Sequence, residues 1–199
     1  YIKTGMTEKQ IALEIEMYFK THGADGVSFD PIVAIGENSS IPHWIPGDRK
    51  VEMADPILID MGCKYEGYCS DMTRTIFMGC ILEEIKPVYD LALKNLELST
   101  KEITDGYTIK TAANMVESDF KVNGYNLIHA LGHGVGLEVH ELPFIRLKNE
   151  ANFKENMVIA DEPGIYLPGK YGIRIEDTLL VTKDGSERLT KSERGYVVI

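Results

Sequence analysis

Four acidic residues fall into two pairs, each pair set about a turn, and this limits the possible folds more than any other feature of the chain. Asp60 and Asp71 sit in the stretch Ile57 to Ile76, and Glu162 and Glu176 in Val158 to Asp177. If the first stretch is a hairpin turning at Tyr65-Glu66, Asp60 lies directly opposite Asp71. If the second turns around Gly169, Glu162 lies opposite Glu176. Directly opposed residues of an antiparallel pair share a face, with Cβ atoms about 4.5–5.5 Å apart. Like charges placed there repel. Finding this arrangement twice implies a positive group between the carboxylates, and a metal centre is the simplest one.

The helices carry a similar duplication. "GMTEKQIALEIEMYFKTHG" runs from Gly5 to Gly23 and "GYTIKTAANMVESDFKVNG" from Gly106 to Gly124. At constant offset they share Gly5/Gly106, Thr7/Thr108, Ala12/Ala113, Phe19/Phe120, Lys20/Lys121 and Gly23/Gly124. Each predicts an N-cap threonine, an amphipathic helix and a glycine stop. In the first, Ile11, Ile15, Tyr18 and Phe19 form the apolar stripe. The acidic pairs recur at nearly the same offset, so each half of the chain is expected to supply a helix and a hairpin bearing two carboxylates. Chance similarity between two surface helices is the bland alternative. A further helix is expected over Glu83 to Ile103, with Leu93, Leu96 and Ile103 on its apolar side. Strands and helices segregated in this way predict an α+β fold.

Between the hairpins lies "HALGHGVGLEVHELP", with His129, His133 and His140 inside it. Gly132, Gly134 and Gly136 flank His133, leaving room for close backbone approach to a ligand or metal. A lone histidine is more often a satisfied polar residue than a ligand, but three so close together favour a site. The expected ligand set is Asp60, Asp71, His133, Glu162 and Glu176. Oxygen-rich sets with one imidazole suit Mn, Fe, Co or Zn better than a thiolate-loving metal. Four carboxylates balance two divalent ions; with one ion, excess negative charge would stay buried, which is costly. A two-metal site of this kind is a hydrolytic one.

Composition narrows the rest. The 199 residues suffice for one well-buried domain, or for two half-domains sharing a core. A net charge of −10 argues against a nucleic-acid partner. No apolar run reaches the ~20 residues of a membrane span. Cys63, Cys69 and Cys80 are odd in number and lack metal-site spacing, so they are expected to be free thiols, buried or half-buried, in a reducing compartment. The chain begins at Tyr1 and reads as a C-terminal fragment, a single domain over 1–199.

Together these motifs resemble the catalytic domain of the Xaa-Pro dipeptidases and Xaa-Pro aminopeptidases, the pita-bread metallopeptidases. The resemblance covers nearly the whole chain. "DMGCKYEGYCSDMTRT" is similar to the family's first aspartate motif, "GHGVGLEVHE" to its histidine motif, and "DEPGIY" and "GIRIEDT" to its two glutamate motifs. The resemblance implies two pseudo-symmetric halves around a dinuclear site. Asp71 and Glu176 would bridge both ions, Asp60 would complete one, and His133 and Glu162 the other. It further implies a substrate-side role for His43 in "NSSIPHW", places for His129 and His140 flanking the scissile bond, and an active-site role for Arg174. Taken alone, His43 could be a turn residue and Arg174 a structural partner for a carboxylate.

The implied activity is hydrolysis of the bond preceding proline at a peptide's N-terminus, with manganese the expected metal and Co, Fe or Zn as alternatives. A cytoplasmic location and a homodimeric full-length protein are also implied. A catalytically silent peptide-binding module and a metal-free enzyme of the creatinase type are the rivals; lost metal ligands would mark either, and all five are present. Two departures stand out. Ala160 replaces the threonine often found two residues before the glutamate, and the family's usual N-terminal domain is expected to be missing from this stretch of sequence.

Overall fold

The computed structural model describes all of residues 1–199. The first half holds α1 (Glu8–Thr21), β1 (Gly26–Val27), β2 (Ile32–Ile35), β3 (Pro56–Met61), β4 (Cys63–Tyr65), β5 (Tyr68–Cys69) and β6 (Met72–Phe77). Helix α2 (Lys86–Glu102) joins it to the second half. That half holds α3 (Ile109–Val122), β7 (Gly132–Gly134), β8 (Glu141–Ile145), β9 (Val158–Asp161), β10 (Gly164–Leu167), β11 (Tyr171–Arg174), β12 (Asp177–Thr182) and β13 (Gly185–Arg188).

Both expected repeat helices form. At α1 the Thr7 hydroxyl accepts from the Gln10 N–H while the Gln10 side chain accepts from the Thr7 N–H, a complete capping box. Thr108 occupies the same place before α3 but does not cap; its hydroxyl donates to Asn152 Oδ1 instead. Both helices stop before a glycine of positive φ, Gly23 and Gly124, in the left-handed region that ends helices cheaply. The bridges Thr7–Lys50 and Thr108–Asn152 also correspond. Helix α2 starts at Lys86, three residues later than Glu83, because Pro87 is tolerated only in a first turn.

The sheets repeat the same plan. In the first half the order is β2-β3-β6, with the hairpin β4-β5 inserted between β3 and β6; in the second it is β13-β12-β9-β7-β8, with the hairpin β10-β11 between β9 and β12. β3 and β9 therefore correspond, as do β6 and β12, and all these pairings are antiparallel. The result is an α+β fold of two pseudo-symmetric halves. Helices α2 and α3 cover the second sheet through Leu96, Ile103, Val116 and Phe120 against Ile159 and Leu179. α1 buries Ile11 and Ala12 on Val33, Ile35 and Ile57. No helix is long and apolar enough to cross a membrane.

One register differs from expectation. The first hairpin turns at Glu66-Gly67, one residue later than Tyr65-Glu66, because both turn residues take positive φ and Gly67 supplies one of them without strain. Asp60 is consequently paired with Thr73, and Asp71 lies two residues along, just before β6. A shift of two positions keeps both aspartates on one face. The second hairpin keeps its expected register: Gly164 pairs with Arg174 and Asp161 with Asp177, which leaves Glu162 and Glu176 opposed between the two ladders.

The three cysteines are free, as expected, though Cys80 is exposed rather than half-buried.

Candidate metal centre

Each carboxylate sits where a strand ends, so the chain can aim it without breaking a ladder. Asp60 lies near the end of β3, Asp71 just before β6, Glu162 just after β9, and Glu176 just before β12. His133 is in the middle of β7, paired with Ala160. Asp71, His133 and Glu176 come together with ligand atoms all within 4.8 Å of one another, and all three are buried. Glu162 joins them through His133 (Nε2 to Oε1, 3.7 Å). Asp60 stands beside this cluster, held by Arg174 Nη2 at 2.7 Å. All nine residues expected at the site, including His43, His129, His140 and Arg174, line one cleft of about 740 Å³. That volume accommodates a small peptide.

The bonds inside the cleft leave a gap that fits a cation. His133 Nδ1 lies 3.0 Å from the Gly134 carbonyl, which can only accept, so Nδ1 carries the proton and Nε2 presents a lone pair. That lone pair faces Asp71 Oδ2 at 3.5 Å as well as Glu162. Acceptors facing acceptors at this distance repel unless a proton or a cation lies between them. Asp60 Oδ1 and Glu176 Oε1 are buried with no hydrogen-bond partner. Natural proteins rarely leave such atoms orphaned, and an ion is a standard reason when they do. The residues fit divalent metal.

Burial and crowding of like charge set the proton affinities. Asp71 is pushed up to about 11, first by burial and then by Glu176, Asp60 and Glu162. Glu176 rises to about 8 through burial and the Asp60 charge, with the Thr73 hydrogen bond opposing. Glu162 is raised well above the usual carboxylate range by burial and by Glu176. His133 is lowered, mainly by burial. Carboxylates this reluctant to ionise favour a bound cation, which restores the charged form.

A second network surrounds the cluster, and the sequence reading missed two of its members. Tyr166 donates to His129 Nε2 (2.9 Å) and accepts from Arg174 Nη1 (2.7 Å). Thr73 donates to Glu176 Oε2 (2.6 Å) and accepts from Arg174 Nε (3.0 Å). Both residues stand inside the motifs already quoted. Placing the first turn on Gly67 would have put Thr73 opposite Asp60 and drawn notice to it. His129 Nδ1 donates to the Ala130 carbonyl at 2.7 Å, so both of its ring nitrogens are engaged within the protein. Its pKa falls to about 4 through burial, so the ring stays neutral. Burial works against the Arg174 charge, but Tyr166, Asp60 and Glu162 outweigh it and raise its pKa. His140 packs edge-on against His133, with ring centroids 4.4 Å apart.

The glycines around His133 are required by strand packing. A Cβ on Gly132 would lie 1.9 Å from the Ala160 carbonyl oxygen, and one on Gly134 2.5 Å from that of Leu142. Ala160, the position of the missing threonine, is fully buried directly across the strand pair from His133.

Residues 1–183 match the model of metallopeptidase family M24, and the chain belongs to that family. It is 42% identical over 195 residues to the Xaa-Pro dipeptidase of Pyrococcus furiosus, covering 97% of this chain and 56% of that protein. The X-Pro aminopeptidase structure from Thermotoga maritima superposes with a TM-score of 0.97 at 42% identity, covering 100% of this chain and 57% of that one. The prolidase structure from Pyrococcus furiosus gives 0.94 at 41% identity, covering 96% and 58%. The fold is thus the pita-bread fold of these peptidases. The chain spans a little over half the length of the relatives it matches.

Proposed function

We propose that this chain is the catalytic domain, over residues 1–199, of a dinuclear-metal peptidase that cleaves the bond between an N-terminal residue and proline. The observation that carries the reading is the buried Asp71–His133–Glu176 cluster, flanked by orphaned oxygens on Asp60 and Glu176. Five ligands carrying four negative charges call for two divalent ions, which Asp71 and Glu176 would share. Manganese is our choice for a set of carboxylates and one imidazole, with Co, Fe and Zn as alternatives. The names of the relatives supply the proline specificity.

Bound divalent ions supply Lewis acidity toward the scissile carbonyl and make water nucleophilic near neutral pH. The protein's residues do the rest. Glu162, beside the cluster, takes up the proton that the attacking water gives up and passes it to the prolyl nitrogen as the bond breaks. That nitrogen belongs to a tertiary amide with no N–H of its own, so a positioned acid is needed. His140, at the open side of His133, stabilises the developing oxyanion. His129 acts through Tyr166, and Tyr166 with Asp60 fixes Arg174. His43 lines the substrate side. A peptide with proline at its second position is the partner. The free thiols support a cytoplasmic location, and the family resemblance supports a homodimer for the full-length protein.

Assaying the manganese-loaded protein against Xaa-Pro and Xaa-Ala dipeptides and Xaa-Pro tripeptides tests this. Cleavage confined to the Xaa-Pro substrates is expected. Peptide binding without cleavage, with metal content verified, would instead establish a silent binding module.

A further inference from the structure

One buried carboxylate outside the metal cluster gathers four N–H donors from the end of β2 and the loop that follows it. Glu8, the first residue of α1, is fully buried. Its Oε1 accepts from the Ile35 N–H (2.9 Å) and from Asn38 Nδ2 (2.9 Å). Its Oε2 accepts from Trp44 Nε1 (2.8 Å) and from the Gly47 N–H (2.8 Å). These donors stand before, within and at the far end of the loop that leaves β2 and leads back toward β3. Backbone bonds reinforce the clamp: Lys9 N–H donates to the Gly47 carbonyl (3.2 Å) and Glu8 N–H to that of Arg49 (3.1 Å).

The opposite side of the loop is fastened to β11. Gly172 N–H donates to Ser39 Oγ (2.8 Å), and Arg174 Nη1 donates to the Pro42 carbonyl (3.3 Å). Gly172 must be glycine, since a Cβ there would lie 2.1 Å from the Ser39 carbonyl oxygen. Between these fastenings Pro42 and His43 face the cleft. The His43 ring is exposed and takes its place from the backbone on either side.

We propose that Glu8 is a positioning residue for His43, acting on substrate binding through the loop without touching the cleft. The proposal rests on the peptidase reading, because the substrate gives His43 its task. All four acceptor positions of the carboxylate are used, so one side chain holds both ends of the loop and its middle. Bonds to a charged acceptor in a buried setting are the strong ones. Ordering the loop in advance spares the substrate that cost. Without the clamp the competent arrangement is only partly populated, and apparent affinity falls by that fraction. Turnover of the saturated complex changes little, because bound substrate selects the ordered form.

Glu8→Gln is the test. Its amide NH₂ must face two N–H donors whichever way it turns, either Ile35 and Asn38 or Trp44 and Gly47. Amide hydrogen exchange across residues 36–47 is expected to quicken about ten-fold with metal content unchanged. KM for an Xaa-Pro dipeptide should rise about ten-fold while kcat stays within about three-fold. His43→Ala alone should also raise KM, and adding Glu8→Gln to it should raise it no further, because coupled residues are not additive. Independent, additive effects, or a kcat loss at constant KM, overturn the proposal. Should Glu8→Gln fail to fold, Trp44→Phe removes one donor alone and should show the same pattern at about two- to five-fold. The exchange measurement needs no turnover. A wild type that cleaves no Xaa-Pro peptide overturns the functional reading and the substrate half of this proposal, whereas unchanged protection of 36–47 overturns the clamp itself.

Discussion

Arg174 Nη2 donates to Asp60 Oδ2 across 2.7 Å, and both side chains are buried at the edge of the metal cluster. The guanidinium also holds Tyr166, Thr73 and the Pro42 carbonyl. It is the cation that partners Asp60 when no metal is bound. Removing one partner of a buried pair leaves the other uncompensated, a loss of about 3–5 kcal/mol. Arg174→Met should therefore destabilise the metal-free protein by about that much near pH 8, measured by urea unfolding. A loss below about 1 kcal/mol would show that Asp60 finds its compensation elsewhere.

Gly132 meets the Ala160 carbonyl so closely that no side chain fits between β7 and β9. Gly132→Ala must push the strands apart or bend one of them, and His133 moves with its neighbour. Overpacking of this kind costs about 1–3 kcal/mol. Metal affinity should fall with stability, because the imidazole is displaced from the carboxylates. Titration calorimetry and denaturant unfolding would read both. A variant with wild-type stability refutes the close-approach account.

Much of the site was legible because its chemistry is concentrated in short motifs. The histidine segment, the aspartate hairpin and the two glutamate motifs all converge on one cleft. The second hairpin's register followed from placing its turn around Gly169, which takes positive φ. The first was misplaced by one residue, since Tyr65-Glu66 and Glu66-Gly67 both read as turns and only the demand for positive φ decides. The α1/α3 repeat could be read from matching glycines and threonines. What stayed hidden depends on distant partners. Thr108 resembles Thr7 in sequence, but Asn152 takes its hydroxyl. Glu8 looks like an ordinary first-turn acid, and only the returning loop reveals it as buried. Tyr166 needs both Arg174 and His129 in place before its role is visible.

Glu162 stands between His133 and Arg174, its Oε2 3.9 Å from Arg174 Nε. Glu162→Gln keeps the shape and one ligating oxygen but cannot hold or release a proton. Loss of a general acid–base typically costs about 10²–10⁴-fold in rate. We expect kcat on an Xaa-Pro dipeptide to fall within that range while KM changes far less. Near wild-type kcat in the variant would remove Glu162 from proton transfer.

Chelation should destabilise the protein, and more so as pH rises. Burial and neighbouring charge raise Asp71 from 3.8 to about 11 and Glu176 from 4.5 to about 8. Groups with a raised folded pKa bind more protons folded than unfolded, so they favour the fold below their unfolded pKa values. That contribution is lost as pH climbs through the folded ones. For Glu176 the window runs from about 4.5 to about 8, and for Asp71 it extends further up. Bound metal reverses the trend, because its ligands must be deprotonated and higher pH strengthens binding. A native-only ligand at a hundred times its Kd adds about 2.7 kcal/mol. The melting temperature of the metal-free protein should fall between about pH 5.5 and pH 8 while that of the metal-loaded protein holds or rises, so the gap widens with pH. Calorimetric melting of both forms across this range, with elemental analysis of each sample, checks it; two ions per chain are expected in the loaded form. A metal-free melting temperature that climbs with pH would mean that the opposed carboxylates are relieved by something other than protons and metal.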